Sequence, residues 1–592
     1  MIFMTKKKNY NDWTKEDLIK EVEALKKQKT YGLVWEKDKT KEVFDYYINW
    51  DGIKNREKFA ETEGKFPVLK EIKNKDITTE KKGNYNLLIE GDNYHALAVL
   101  NFTHEKAIDV IYIDPPYNTG NGGFTYNDKL VDSTDAYRHS KWLSFMGKRL
   151  MLAKNLLKES GIILISINNI ELAQLKLLCD EIFLDNLLGI IIWRNKTGGG
   201  KQGQDVEGKR EKKEALNTDH EYILVYGKNR KKVRKLEDSL SETEKAEYVN
   251  TDNDPRKEYK LRDMEEGIPG IRENNYYEVK DPDGVVIKPG GGKLKWRFIE
   301  EEFKRKLKDK SIVWIKRKCK TTEDKRGYYY RPMVKQYLYG ADGEERTKIL
   351  RSIFYNIAYT ADGTDELKQI LGENFDKFQF PKPSKLIKEL IAAYHNKNAV
   401  VLDFFAGTGT TGHAVLELNK EDGGERTFIL GTNNENNICT EVCYPRLGKV
   451  INGYKNIEGE KVEGLGGNLR YFKTDFVDSA PTDRNKKRIV DHATEMICIK
   501  ENAFEMVKDS GEDYKIFRNH TINLGIIFNS DAIEDFVKEA KKKEGKFHVY
   551  VFSLDDTVPE HEFKEIRGRV TLCAIPEAIL HVYRRVFKND TT

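Results

Sequence analysis

Cysteine is scarce: Cys179, Cys319, Cys439, Cys443, Cys498 and Cys573 are the only six in 592 residues. None forms a CxxC pair, which excludes a zinc ribbon and a disulfide framework and predicts a reducing, cytoplasmic compartment. Long apolar runs are also missing. Stretches such as LLGIIIW at 187–193 fall far short of the roughly 20 residues needed to cross a bilayer. The opening MIFMTKKKNYND has no apolar h-region, so no secretory leader is expected. Nor does one sign of charge dominate. The 102 Lys+Arg and 97 Asp+Glu leave a net charge of +5, so partners must be sought in local clusters. The nearest approach to a Walker A loop is GQDVEGKR at 203–210. It carries Arg210 where serine or threonine is required, and no apolar strand leads into it, so it reads as a polar loop. HEYIL, from His220, has no second histidine in register, which excludes a zinc-protease helix. No internal repeat is evident.

The length implies about three or four domains. Residues 1–65 form a lysine-rich extension, with helical spacing of Leu18, Ile19, Val22 and Leu25 over 14–29. From 66 to 230 buried strands alternate with helices: YNLLIEGD, NYHALAVLNF, AIDVIYID, then a long helix over 141–161 closed by Gly161. GIILISIN, IELAQLKLLCDEIF, LLGIIIWRN and HEYILVYGKN continue the pattern. Alternation of this kind predicts an α/β fold with a mostly parallel sheet. It breaks over 231–375 and returns over 376–479. Residues 480–592 read as a small separate α/β domain. Within the break, 281–335 holds 17 Lys+Arg against 8 Asp+Glu, interleaved with Trp296, Phe298, Trp314, Tyr328, Tyr329 and Tyr330. Two readings fit: a solvated face over a small core, or a nucleic-acid-binding insert with cations for phosphates and aromatics for stacking.

Two motifs carry chemistry. In VVLDFFAGTGTTGHAV an apolar strand runs into Asp403, Phe405, Gly407, Thr408 and Gly409, and a helix begins near Thr410. Glycines there let a ligand approach the backbone, and a helix N-terminus offers free N–H groups. Glu435 follows the next strand, where a carboxylate can take ribose hydroxyls. The pair predicts a nucleoside-bearing cofactor. The second motif is AIDVIYIDPPYNTG at 107–120, a strand that stops at Asp114, Pro115, Pro116 and Tyr117. The plain reading is a capped strand end followed by a proline turn. The chemical reading concerns an exocyclic amino group, whose lone pair is delocalised into its base. The Asp114 carboxylate and the Pro115 carbonyl would accept its two hydrogens and aim the lone pair, and Tyr117 would stack on an extruded base.

DPPYNTG together with DFFAGTGTTGHAV resembles the amino-group DNA methyltransferases that use S-adenosyl-L-methionine. DPPY precedes the glycine loop, an order similar to the circularly permuted β class, which implies a Rossmann-like sheet with an inserted target-recognition domain over 231–375. EGDN at 90–93 is similar to the turn whose acid holds the cofactor adenine, here Asp92, and FPKPSKLI at 380–387 to the segment contacting its methionine part, here Lys382. TDHEYILVYGKN at 218–229 resembles a motif near the target base. YGLVWE at 31–36, FPVLKEI at 66–72, TNNENNIC at 432–439 and GGNLRYFKTDFV at 466–477 look like the modification (Mod) subunits of type III restriction-modification systems. That resemblance implies methylation of adenine N6 in double-stranded DNA, a homodimer, a Res helicase-nuclease partner, no metal, and a cytoplasmic, nucleoid-associated protein. The competing expectations are an idle specificity subunit that recruits a nuclease, and a cytosine-N4 enzyme.

Overall fold

The computed structural model describes residues 65–79, 84–119, 138–197, 218–267, 273–290, 294–318, 326–372, 381–478, 482–553, 557–575 and 577–588. The helix expected over 14–29, the polar loop at 203–210 and the loop after Thr119 lie outside them. In chain order the larger unit places β1 (Lys65–Glu71), β2 (Tyr85–Glu90), α1 (Asn93–Thr103), β3 (Ile108–Ile113), α2 (Arg138–Leu156), β4 (Leu157–Ile167), α3 (Leu172–Phe183), β5 (Leu187–Arg194) and β6 (His220–Gly227). After an insert come β7 (Ile353–Phe354), α4 (Thr360–Leu371), α5 (Ser384–Ala392), β8 (Val400–Asp403), α6 (Thr410–Asp422), β9 (Thr427–Thr432), α7 (Tyr444–Asn452) and β10 (Asn468–Asp478).

These strands form one sheet in the order β1-β10-β2-β9-β8-β3-β4-β6-β5-β7. From β10 to β4 every neighbour is parallel. Strands buried on both faces should be continuously apolar, and β3, IDVIYI, is buried at every position. Its one acid, Asp109, accepts from the Val400 N–H at 2.9 Å and from Lys158 Nζ at 2.7 Å. Strands β4, β6 and β5 are antiparallel in sequence along the sheet. The amino end of β6 therefore lies at the edge where the parallel strands have their carboxyl ends.

Gly161 does not close α2, as the sequence pattern predicts; it lies inside β4. Ile108 pairs with Leu157 and Val110 with Ile162, so residues 158–161 bulge. A Cβ on Gly161 would lie 2.9 Å from the Ile108 carbonyl oxygen, so the glycine serves a close approach of two strands.

The second compact unit is Leu236–Leu350, shorter at both ends than the 231–375 expected. Residues after 350 rejoin the larger unit because Ile353 pairs with Ile192 and α4 packs Leu367 against Ile438 and Val442. Within the second unit Tyr259–Asp263, Ile312–Lys318 and Tyr328–Tyr337 make an antiparallel sheet. Its core contains Trp296, Phe303, Ile312 and Val334, with Phe298 and Trp314 packed on it. Those three interleaved aromatics are used for packing, while Lys316, Arg317, Lys318 and Tyr329 on the hairpin are exposed.

Residues 482–588 build a five-stranded sheet of their own, yet they are not a separate domain. Ile489, Met496, Ile497 and Tyr583 belong to the same core cluster as Val68, Leu97 and Ile111. The Tyr583 hydroxyl donates to the Pro67 carbonyl in β1, and its ring lies 5.1 Å from Phe66. Among the described residues no helix is long and apolar enough to cross a membrane. Truncating a fully buried aromatic costs about 3–5 kcal/mol. Tyr583→Ala is therefore expected to lower the stability of the whole larger unit in one calorimetric transition. Melting of the C-terminal segment alone would contradict the shared core.

Candidate active site

Parallel pairing of β3 with β8, Val110 on Val401 and Ile111 on Leu402, brings both motifs to one edge. Asp114 leaves β3 there and Asp403 ends β8. Open α/β sheets bind ligands at this edge.

The glycine loop is built around Asp403. Its carboxylate is almost fully buried and accepts from the Phe405 N–H at 2.9 Å and the Thr411 hydroxyl at 2.5 Å. Both oxygens are thus engaged inside the loop. Gly407 and Gly409 have φ of +51° and +80°, conformations that favour glycine. A Cβ on Gly409 would also meet Cys443 Sγ at 2.9 Å. Phe405 is buried, 5.8 Å from the Phe145 ring. Arg446, fully buried, donates to the hydroxyls of Thr408 at 3.3 Å and Thr410 at 2.8 Å, and pairs with Glu366 at 3.1 Å. Glu366, His413 and Glu417 have the spacing of metal ligands, but the Arg446 guanidinium already supplies the positive charge among them.

Asp92 caps α1, accepting from the Tyr94 N–H at 2.8 Å, and pairs with Arg149 at 3.2 Å. The adjacent Asn93 donates to the Phe404 carbonyl at 3.0 Å, which joins the Asp92 turn to the glycine loop. After β9, Glu435 begins a short 3-10 turn, and the Asn433 Oδ1 atom beside it is buried without a partner among the described residues. An acid-capped turn, a glycine loop opening a helix and an orphaned acceptor fit a nucleoside-bearing ligand.

The DPPY turn is pinned from three sides. Pro115 is buried, and the Pro116 carbonyl accepts from the Trp142 indole at 2.7 Å. Asn118, at φ +56°, donates to the buried Glu171 at 2.6 Å, which also contacts His139 Nδ1 at 2.6 Å. The Tyr117 hydroxyl lies 2.8 Å from Asp114 Oδ1 and 3.0 Å from Glu221 Oε2. Lys382 Nζ lies 3.0 Å from both Asp114 oxygens, 3.2 Å from Glu221 Oε2 and 4.9 Å from the Tyr117 ring centroid. Lys382, read from the sequence as a cofactor contact, is thus seated on the acid of DPPY. Its loop can lie there because α4 carries Gly363, where a Cβ would fall 2.2 Å from the Pro381 carbonyl oxygen. Asp114, Tyr117, Lys382 and Glu221 line a cavity of about 970 Å³, with Asn195, Tyr359 and Thr360 on its wall.

Burial pushes the Asp114 carboxyl up, and the Glu221 charge adds to it, while Lys382 and the Tyr117 hydroxyl act the other way. Burial opposes the Lys382 ammonium, but Asp114 and Glu221 outweigh it and hold its pKa above the ordinary value. Burial next to both carboxylates raises the Tyr117 phenol well above its usual range. Sequence reading passed over Glu221, Asn195, Trp142 and Arg446. Glu221 falls inside TDHEYILVYGKN, the stretch resembling a motif near the target base, but nothing local ties it to Asp114, 107 positions away in the chain.

Residues 108–443 match the N6_N4_Mtase family, described as DNA methylase. The chain belongs to this DNA methylase family. The StyLTI Mod subunit of a type III restriction-modification enzyme from Salmonella typhimurium is 33% identical over 412 residues, 65% of this chain and 58% of that protein. The EcoPI Mod subunit from Escherichia phage P1 is 32% identical over 433 residues, 65% of this chain and 63% of its own length. The type II methyltransferase M.KpnI from Klebsiella pneumoniae is 32% identical over 410 residues, 66% of this chain and 88% of its own length. The chain thus spans about three-fifths of each of these two Mod subunits. In this family member the DPPY strand and the glycine-loop strand are immediate neighbours.

Burial raises Asp403 from the ordinary 3.8 to about 7, against the donors Thr411 and Phe405. The folded chain therefore holds this proton more tightly than the unfolded chain. The resulting stabilisation is complete below 3.8 and lost as pH rises through about 7. Asp403→Asn, which cannot ionise, is expected to flatten the fall in unfolding free energy across that window by up to ~4 kcal/mol. Denaturant titrations at several pH values check this, and parallel curves for the two proteins would refute it.

Proposed function

We propose that the protein transfers a methyl group from S-adenosyl-L-methionine to N6 of an adenine flipped out of double-stranded DNA. The observation that carries the reading is the placement of the Asp114 carboxylate and the DPPY turn at the cavity wall, one strand from the glycine loop. The cofactor, when bound, supplies an electrophilic methyl on a sulfonium. Gly407, Thr408 and Gly409 with the α6 N-terminus would hold its polar tail, Asp92 and Glu435 its nucleoside hydroxyls and base, and Phe405 an apolar wall. Asp114 and the Pro115 carbonyl would accept the two N6 hydrogens and direct the lone pair, and the free face of Tyr117 would stack on the base. Direct displacement needs no covalent enzyme intermediate. Of the six cysteines, the described Cys179, Cys439, Cys443 and Cys498 are buried, and burial pushes each thiol up, away from the reactive thiolate.

The likeness to Mod subunits extends the reading. The chain would serve as modification and specificity subunit of a type III restriction-modification system, as a homodimer, with a Res partner for translocation and cleavage. Its place would be the cytoplasm, on the nucleoid. Target recognition would fall to Leu236–Leu350, whose exposed Lys316, Arg317, Lys318 and Tyr329 offer phosphate and base contacts.

Asp114→Ala is expected to lower labelled-methyl incorporation into mixed-sequence DNA at least on the order of 10²-fold. Binding of S-adenosylmethionine, measured by equilibrium dialysis, should be retained. Nucleoside digestion of DNA methylated by the unmodified protein should release N6-methyladenine. Release of N4-methylcytosine would transfer the reading to cytosine, and no incorporation at all would favour an idle specificity subunit.

A further inference from the structure

Glu221 lies within TDHEYILVYGKN, the stretch resembling a motif near the target base, and its side chain faces the partners of Asp114. Strand β6 runs antiparallel to β4, Tyr222 opposite Ile167, so its first residues emerge beside the end of β3. Glu221 is fixed there by Asn195 Nδ2 at 2.9 Å and shares both of its other partners, Tyr117 and Lys382, with Asp114. Two carboxylates therefore surround one phenol hydrogen, which can be donated to only one of them at a time. Lys382 brings three further hydrogens and one positive charge. Lys382 at 3.0 Å from Oδ1 and Oδ2, together with the Tyr117 hydroxyl at 2.8 Å from Oδ1, orients the Asp114 carboxylate.

We propose that Lys382, anchored by Glu221, is the positioning residue that keeps Asp114 ionised and oriented as a hydrogen-bond acceptor in the cavity. This rests on the methyl-transfer reading above. As N6 forms its bond to the methyl carbon, the C–S pair stays on sulfur and one N6 proton must leave. An ionised Asp114 can take it, whereas a protonated Asp114 presents a hydrogen to a group that needs an acceptor. Without Lys382, two acids sharing a buried site would retain one proton between them. The other ionisable groups facing Asp114 are Tyr112 in β3 and Asp403 at the end of β8, neither of which is cationic. His220, Lys196, Asp362 and Asp365 also line the cavity.

The test is the pH profile of single-turnover methyl transfer by the full chain, with S-adenosylmethionine affinity measured by calorimetry. Lys382→Met is expected to move the acid limb up by about one pH unit or more and to slow transfer at neutral pH at least about tenfold, with cofactor affinity within about threefold. Lys382→Arg should leave the limb in place. Glu221→Gln should move it down, because a like charge is removed. The double variant K382M/E221Q should recover at least about half of the displacement caused by K382M. An unchanged acid limb in K382M, a loss confined to cofactor affinity, or no recovery in the double variant would each overturn the proposal. Should K382M fail to fold, the direction of the E221Q shift decides. If the unmodified protein transfers no methyl group, the functional reading itself fails, which the wild-type control reports separately.

Discussion

The pairing of β3 with β8 is the constraint on which the site depends. Two strands from either side of the insert in the chain meet in parallel, and the Val400 N–H bonds to Asp109 across 291 residues. Parallel pairing sets both carboxyl ends at one edge. The acid of DPPY and the acid under the glycine loop then lie close enough for the Asp114 charge to contribute to the raised pKa of Asp403, behind burial and against the loop's own donors. Antiparallel pairing here would have sent the two motifs to opposite edges.

The antiparallel half of the sheet contributes what the parallel half cannot. By reversing direction, β6 returns Glu221 to the same edge, while β5 delivers Asn195. Gly363 lets the Pro381–Lys382–Pro383 segment press against α4, which aims Lys382 at both acids. Each of these contacts depends on the backbone path, which no motif sets by itself. Their sum is a largely buried group of two carboxylates, one phenol and one ammonium, with Lys382 the deepest. Burial of that kind is tolerated only where every member has a partner.

Arg446 plays a comparable part behind the cofactor loop. Fully buried, it ties Thr408 and Thr410 to Glu366 in α4, and Glu366 in turn accepts from the Ser384 N–H at 3.1 Å, two residues after Lys382. The glycine loop and the Lys382 loop thus share one half-buried carboxylate, paired to a fully buried guanidinium. Removing one partner of such a pair leaves an uncompensated buried charge, a cost of about 3–5 kcal/mol.

Legible in the chain alone were the α/β alternation, the strand-ending acids Asp114 and Asp403, the loop glycines Gly407 and Gly409, and the break at the insert. These are local matters of periodicity, backbone freedom and motif order. Tertiary structure decided the rest. A bulge in β4 claimed Gly161 from the end of a helix. A shared apolar core joined residues 482–588 to the sheet. Trp296 and Trp314, equally suited by composition to stacking or packing, were drawn into a core because Phe303, Ile312 and Val334 lay within reach. Glu221 gained its place beside Asp114 through strand direction and Lys382 through the close packing of its loop on α4 at Gly363, since attraction between charges depends on distance in space and leaves no trace in spacing along the chain.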